Sequence, residues 1–223
     1  MDPAPMDPAS EYYRSSLRAA MDPPAGARPA VRLGSALRRA ARLATTSAAP
    51  PELLERVAEE VERLADLLGP HAETSRYPHA ERLGSPGAGF LTHPFTGAVN
   101  PCSPALRLRA EGETLVGAVA WGPQFEGPAG YAHGGHISGC FDVLLTATAG
   151  INGRGGLTKS LGVRYRRPAP LDVELRYEAA VESWDGRTTV VRGRLTDGDQ
   201  VCAEGTAEIA TGRGPAVPAP PAP

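Results

Sequence analysis

The chain reads as an α+β protein, an antiparallel sheet with one buried helix, preceded by helices of a different character. Three observations predict this class. Tyr131 to Gly150 runs a glycine-rich turn into one long apolar segment that lacks proline. From Ala105 the chain otherwise breaks into short alternating segments separated by turn dipeptides, which is the pattern of strands. Pro51 to Leu68 repeats apolar residues at three and four spacing, which is the pattern of an amphipathic helix.

Met1 to about Pro29 is rich in Pro, Ala and Asp and has little periodic apolar pattern, so disorder is expected over residues 1–34, broken at most by a short helix near Tyr12 to Ala20. Residues 35–93 are expected to form a helical extension and connector. A short Arg-rich helix from Ser35 to Ala44 carries Arg38, Arg39 and Arg42, which a solvated face explains. The next helix, Pro51 to Leu68, opens on prolines, stops at Gly69-Pro70 and aligns Leu54, Val57, Val61, Leu64 and Leu68. That stripe spans barely two heptads, so it is expected to pack on the domain or a partner protomer, not to form a free coiled coil. His71, His79 and His93 follow in a Pro/Gly-rich connector without ligand spacing and read as surface residues.

Residues 94–211 are expected to form the main domain. Leu106 to Ala110 and Glu113 to Trp121 flank Glu111-Gly112 as a hairpin, and Phe125 to Gly130 is a loop feeding the central helix. Thr158 to Arg167 alternates Leu161, Val163 and Tyr165 against Ser160, Arg164 and Arg166, ended by Pro168 and Pro170. Glu174 to Ser183 places Leu175, Tyr177, Ala179 and Val181 on one face; Asp185-Gly186 then turns into Thr188 to Thr196, and Asp197-Gly198 into a last strand ending near Ile209. The order is ββαββββ. Residues 212–223 are a Pro/Ala tail expected to be disordered.

At 223 residues and 23.2 kDa, one good-sized domain with an appendage fits and two full domains do not. A net charge of -2 offers no global attraction to nucleic acid or anionic membrane. The 3 cysteines, Cys102, Cys140 and Cys202, lack both metal-ligand pairing and a disulfide framework, and the start lacks a signal-peptide pattern, so a cytoplasmic, unexported protein is expected.

The chemistry concentrates at the central helix. Glycines ahead of an apolar run leave backbone N–H groups unshielded where the helix dipole favours negative charge, the way an oxyanion hole is built. Asp142, eight residues after Gly134, is the one ionisable group between Phe141 and Gly150. In an apolar segment such a carboxylate is either satisfied structurally, as an N-cap for Val143 to Ala149 or a partner to a hydroxyl, or it is functional. His133 and His136 are three apart, but no third ligand lies near in sequence, so neither a metal nor another cofactor is expected.

His133-Gly134-Gly135, then six residues, then Asp142, followed by a Thr-rich strand ending Tyr165-Arg166-Arg167-Pro168, resembles the hotdog-fold acyl-CoA thioesterases of the phenylacetate-degradation type, within the 4-hydroxybenzoyl-CoA thioesterase-like superfamily. The resemblance covers roughly Pro94 to Ala210. It implies a hotdog architecture, the sheet wrapped around the long helix, and hydrolysis of an acyl-CoA or acyl-carrier thioester. It further implies that the Gly134 N–H polarises the thioester carbonyl, that His133 shapes that turn, that Asp142 is nucleophile or base, and that Thr158 positions the water or the carboxylate. Gly135, Lys159, Arg166 and Arg167 would contact substrate, the basic groups meeting coenzyme A phosphates. Where many relatives carry Asn before the motif, this chain reads Gln124-Phe125-Glu126-Gly127.

Helix geometry bears on assembly. Eight residues at ~1.5 Å each put Gly134 and Asp142 about 12 Å apart, too far to meet one thioester carbon, so a catalytic motif calls for a homodimer or dimer of dimers. A rival reading is a non-catalytic acyl-CoA-binding regulator whose Arg-rich helix contacts nucleic acid or a partner; the acidic second helix and the lack of a helix-turn-helix argue against nucleic acid. For a hydratase of the same fold, no second His follows an Asp in a suitable place.

Overall fold

The turn dipeptides fall where the chain reverses. The computed structural model describes residues 7–76, 79, 82–83 and 89–211. Strands β1 (Arg107–Glu111) and β2 (Thr114–Val119) form the first hairpin, and β4 (Leu175–Trp184), β5 (Thr188–Asp197) and β6 (Gln200–Thr211) form a meander. At the β4–β5 turn Gly186 takes φ 92°, open to a residue without Cβ, while Asp185 Oδ1 accepts the Arg187 and Thr188 N–H groups at 2.8 and 2.7 Å. With β3 (Gly156–Tyr165), the strands make one antiparallel sheet of order β1-β2-β4-β5-β6-β3.

The central helix, α4, spans Gly134–Ile151 and is apolar nearly all round, which is why it is buried and not laid on the surface. Phe141, Leu144 and Leu145 pack with Tyr177, Leu195 and Ile209, all fully enclosed, in one continuous core. The Tyr177 hydroxyl spends its proton on the Ile137 carbonyl at 3.1 Å, so burying it leaves no orphan donor. This is the α+β hotdog arrangement that the sequence led us to expect.

Among the described residues three long helices precede the sheet: α1 (Pro8–Met21), α2 (Arg28–Thr46) and α3 (Pro51–Leu68). The first contains the short helix foreseen near Tyr12 to Ala20 but is longer and docked, and with the start of α2 it departs from the disorder expected for the rest of residues 1–34; residues 1–6 lie outside those described, as does the expected tail at 212–223. Asp7 caps α1, and Leu17 is buried in the main core. Its anchors are single side chains without a repeating stripe: the Tyr13 ring fills the space a side chain at Gly150 would need, and Ser10 Oγ donates to Ile151 O at 2.5 Å. Burial pushes the Tyr13 phenol above its ordinary pKa.

The second helix is longer than the sequence pattern implied and is docked. Gly34 sits against the Ala98 and Val99 carbonyls, Arg38 donates to Asn100 O at 2.8 Å, and Arg42 grips Asp172 through two bonds of 2.5 and 2.8 Å. The third has the predicted bounds yet buries none of its residues.

Between these helices and the sheet, a single helical turn (Gly89–Thr92) starts a run of rings along α4: Tyr13 to Phe90 at 6.4 Å, Phe90 to His93 at 6.4 Å, His93 to Phe95 at 6.1 Å. Phe95 occupies the space beside Gly139 as Tyr13 does beside Gly150. His93, expected at the surface, is partly buried here, its Nδ1 accepting the Phe95 N–H at 3.2 Å. Burial first, then the Arg76 charge, pushes its pKa down to about 4.

The two sheet edges are treated differently. The five-residue β1 is covered by α1, whereas the ten-residue β3 is largely exposed, with Leu157 and Tyr165 each 51 % accessible. A long open edge is a surface on which another chain can pair.

Candidate active site

The N-terminus of α4 is built by its own cap. His133 is the N-cap residue, and its Nδ1 accepts the Gly135 N–H at 3.0 Å, so Nε2 carries the ring proton. Its backbone N–H is spent on Phe125 O at 2.8 Å and its carbonyl receives His136 and Ile137 at 3.0 and 3.3 Å. The Gly134 N–H is different: among the described residues it has no acceptor. A helix start thus presents one unspent donor at the positive end of the dipole. Gly135, predicted to touch substrate, has its N–H committed to the cap.

Tyr165, which sequence reasoning placed on a strand face and gave no role, holds this turn in place. Its hydroxyl donates to Gly134 O at 2.8 Å and lies 2.7 Å from Ser138 Oγ. A Cβ at Gly134 would sit 3.1 Å from that hydroxyl, so the fit asks for glycine. The available signal was position: Tyr165 ends the strand whose Arg-Arg-Pro terminus is part of the motif.

Asp142 lies mid-helix, which excludes the N-cap explanation for its presence. Its Oδ1 accepts the Thr158 hydroxyl at 2.9 Å, and Thr146 Oγ1 stands 3.1 Å from the same hydroxyl. The geometry that brings Thr158 there is a β-bulge. Leu161, Val163 and Tyr165 face the helix, and strict alternation would send Lys159 there next; the register shift between Thr158 and Ser160 changes the phase and points Thr158 at Asp142. The carboxylate and its two threonines are therefore at the open β3 edge, partly exposed.

The basic residues divide into spent and unspent. Lys159 pairs with Glu208 at 3.6 Å and Arg166 with Glu204 at 2.6 Å, both across to β6. Arg164 and Arg167 make no ion pair with the described residues. Of the two candidates for the missing Asn, Glu126 is occupied, its Oε1 accepting Gly130 N–H at 2.5 Å, and Gln124 Oε1 is buried and unpartnered. His136 rests edge-on against Phe125 at 4.9 Å, and burial, then the neighbouring His133, lowers its pKa. Among the described residues no group of three or more His, Cys, Asp or Glu could hold a metal ion.

A six-stranded antiparallel sheet around one apolar helix that opens on His-Gly-Gly defines a hotdog protein. A Thioesterase superfamily profile matches residues 129–204. A crystal structure of a thioesterase superfamily protein superposes with a TM-score of 0.70 at 30% identity, covering 81% of this chain and 90% of that one. The chain belongs to the thioesterase superfamily. Acyl-coenzyme A thioesterase THEM4 of Xenopus laevis is 35% identical over 88 residues, 39% of this chain and 40% of that protein. Acyl-coenzyme A thioesterase THEM5 of Homo sapiens is 39% identical over 51 residues, 23% of this chain and 21% of that protein. The chain thus spans about two fifths and one fifth of the lengths of these two relatives.

Proposed function

We propose that the protein hydrolyses an acyl thioester of coenzyme A, or of an acyl carrier, to free acid and thiol, at a site that two copies of the chain complete. One observation carries the reading: a single helix presents an unspent N–H at Gly134 and a hydroxyl-held carboxylate at Asp142, about 12 Å apart at ~1.5 Å per residue. The open β3 edge, beside which Asp142 lies, supports pairing with a second copy, and so does the need to bring the two groups together. That the two relatives described above are named acyl-coenzyme A thioesterases supports the substrate class.

In this reading the thioester oxygen accepts from Gly134 N–H, where developing negative charge is stabilised most. Asp142 of the partner subunit takes a proton from water as the water oxygen adds to the carbonyl carbon; Thr158 holds one carboxylate oxygen and leaves the other free for the proton. The C–S bond then breaks and the thiolate recovers that proton. Attack by the carboxylate itself would use the same residues through an anhydride that water cleaves. Arg164 and Arg167, being unpaired, are better placed for coenzyme A phosphates than Lys159 and Arg166.

The test is thiol release over a panel of aliphatic and aromatic acyl-coenzyme A substrates, with two variants mixed. Asp142→Asn and Gly134→Pro homodimers should each be inactive, and co-refolded heterodimers should regain activity through one intact site. A fully active monomer, or no recovery from folded mixtures, would overturn the composite site. Binding of acyl-coenzyme A without turnover, coupled to DNA affinity, would replace the enzyme reading with the regulator.

A further inference from the structure

Helix α3 is the least accounted-for element of the fold. None of its eighteen residues is buried, and it packs on the 3-10 turn that follows it. Leu53, Leu54, Val57, Val61, Leu64, Leu67 and Leu68 are all exposed, Leu67 at 71 %. Isolated helices of this length are marginal in water, because most helical stability comes from packing an apolar face. A stripe this continuous is built to be covered.

Charge says by what. At 100° per residue, Glu55 and Glu62 border one side of the α3 stripe, seven residues apart, and neither has a basic partner. Helix α2 carries five arginines and no acid. Arg38 and Arg42 are used to dock it, but Arg28, Arg32 and Arg39 make no ion pair with the described residues. The outer face of α2 is a narrow seam of Leu33, Ala36, Ala40 and Leu43, with Arg32 and Arg39, again seven apart, along one side. Alanines let a second helix approach closely, leucines interdigitate, and flanking charges of opposite sign at matching spacing select the partner. Two α3 helices against each other would instead set acid beside acid.

The connection decides which copy supplies the partner. Ser47–Pro50 is short, and each residue before a proline, Ala49 and Pro50, is pushed to extended backbone. Ser47 at ψ 130° and Pro50 at ψ 152° are extended, so the connection leads α3 away from its own α2. Short stiff hinges favour exchange between copies over return within one chain. We infer that α3 of each chain docks along α2 of a second copy, its leucine stripe on the alanine seam with Glu55 and Glu62 meeting Arg32 and Arg39.

Two full-length chains, both carrying Cys102→Ser to remove the exposed thiol and leave Cys140 and Cys202 buried, provide the test. One bears Ala36→Cys, the other, enlarged by a tag, bears Val61→Cys; a short bismaleimide is added after mixing. The expected product is the mixed-size cross-linked pair. Adding Arg32→Glu and Arg39→Glu to the first chain should reduce it by about tenfold, and Glu55→Arg with Glu62→Arg on the second should restore it. Circular dichroism confirms that each variant is folded. A third chain carries both Ala36→Cys and Val61→Cys; a cross-link formed only within that chain would assign α3 to its own α2 and overturn the exchange. No product, or a product indifferent to the charges, would overturn the pairing itself.

Discussion

The two ends of α4 are finished in opposite ways. At the C-terminal end every device closes the helix: Ser10 and Arg14 donate to Ile151 O at 2.5 and 3.1 Å, and Asn152 Nδ2 returns to Thr148 O at 2.8 Å. A cation and two neutral donors meet the negative end of the dipole, as electrostatics favours. At the N-terminal end the cap stops one bond short and leaves Gly134 N–H unspent. A helix end that is completed stabilises the fold; one left open at the surface keeps a donor for something else. The contrast predicts that changes at the closed end move stability alone and changes at the open half move turnover alone.

The largest effect should come from the closed end. Leu17→Ala removes a buried leucine of α1 and should cost about 3 kcal/mol of unfolding free energy in urea, with activity per folded molecule unchanged. Asp142→Asn should lower kcat by about 10²-fold while the melting temperature holds, since the partly exposed amide can still accept from Thr158. A large loss of stability with preserved turnover would instead make Asp142 a structural carboxylate.

His93 sits midway along the ring run and tests how far the two ends are independent. Its folded pKa, about 4, is depressed below the unfolded value of roughly 6.5, so its contribution is present above that value and lost as pH falls towards 4. Between pH 7 and pH 5 this amounts to about 2 kcal/mol, read from urea midpoints. His93→Gln, which keeps an acceptor for the Phe95 N–H, should flatten that slope; an unchanged slope would place the titration elsewhere. The smallest effect belongs to Tyr165→Phe, which removes the bond to Gly134 O. Turnover should drop roughly tenfold or less, about 1 kcal/mol, with KM nearly constant. A change in KM alone would make Tyr165 a substrate contact, not a positioning residue.

What could be read from the sequence was whatever local chemistry dictates. Turn glycines placed the hairpins, alternation placed the strands, and the apolar run with His-Gly-Gly ahead of it placed both the central helix and the Asp142–Gly134 pair. What escaped depends on contacts distant in sequence. Tyr13 and Ser10 hold α1 as isolated anchors, so the pattern near Tyr12 to Ala20 announced a short helix but not its docking. His93 is partly buried between Phe90 and Phe95, in a run of rings that Tyr13 of α1 joins through Phe90, while its surroundings in the chain are those of a surface loop. Tyr165 reaches Gly134 only because β3 ends beside the start of α4, a matter of register and not of composition.

The β-bulge at Lys159 makes the last point quantitative. Along a strand the face a residue shows is a matter of odd or even count, and the bulge inserts one extra step between Tyr165 and Thr158. Removing that single residue would keep Thr158, Asp142, Tyr165 and Gly134 all present, yet turn the Thr158 hydroxyl to the opposite side of the sheet from Asp142. The candidate site is therefore encoded in parity as well as in residue identity, and a chain that keeps all four residues but counts one fewer between them would lose the Thr158–Asp142 bond.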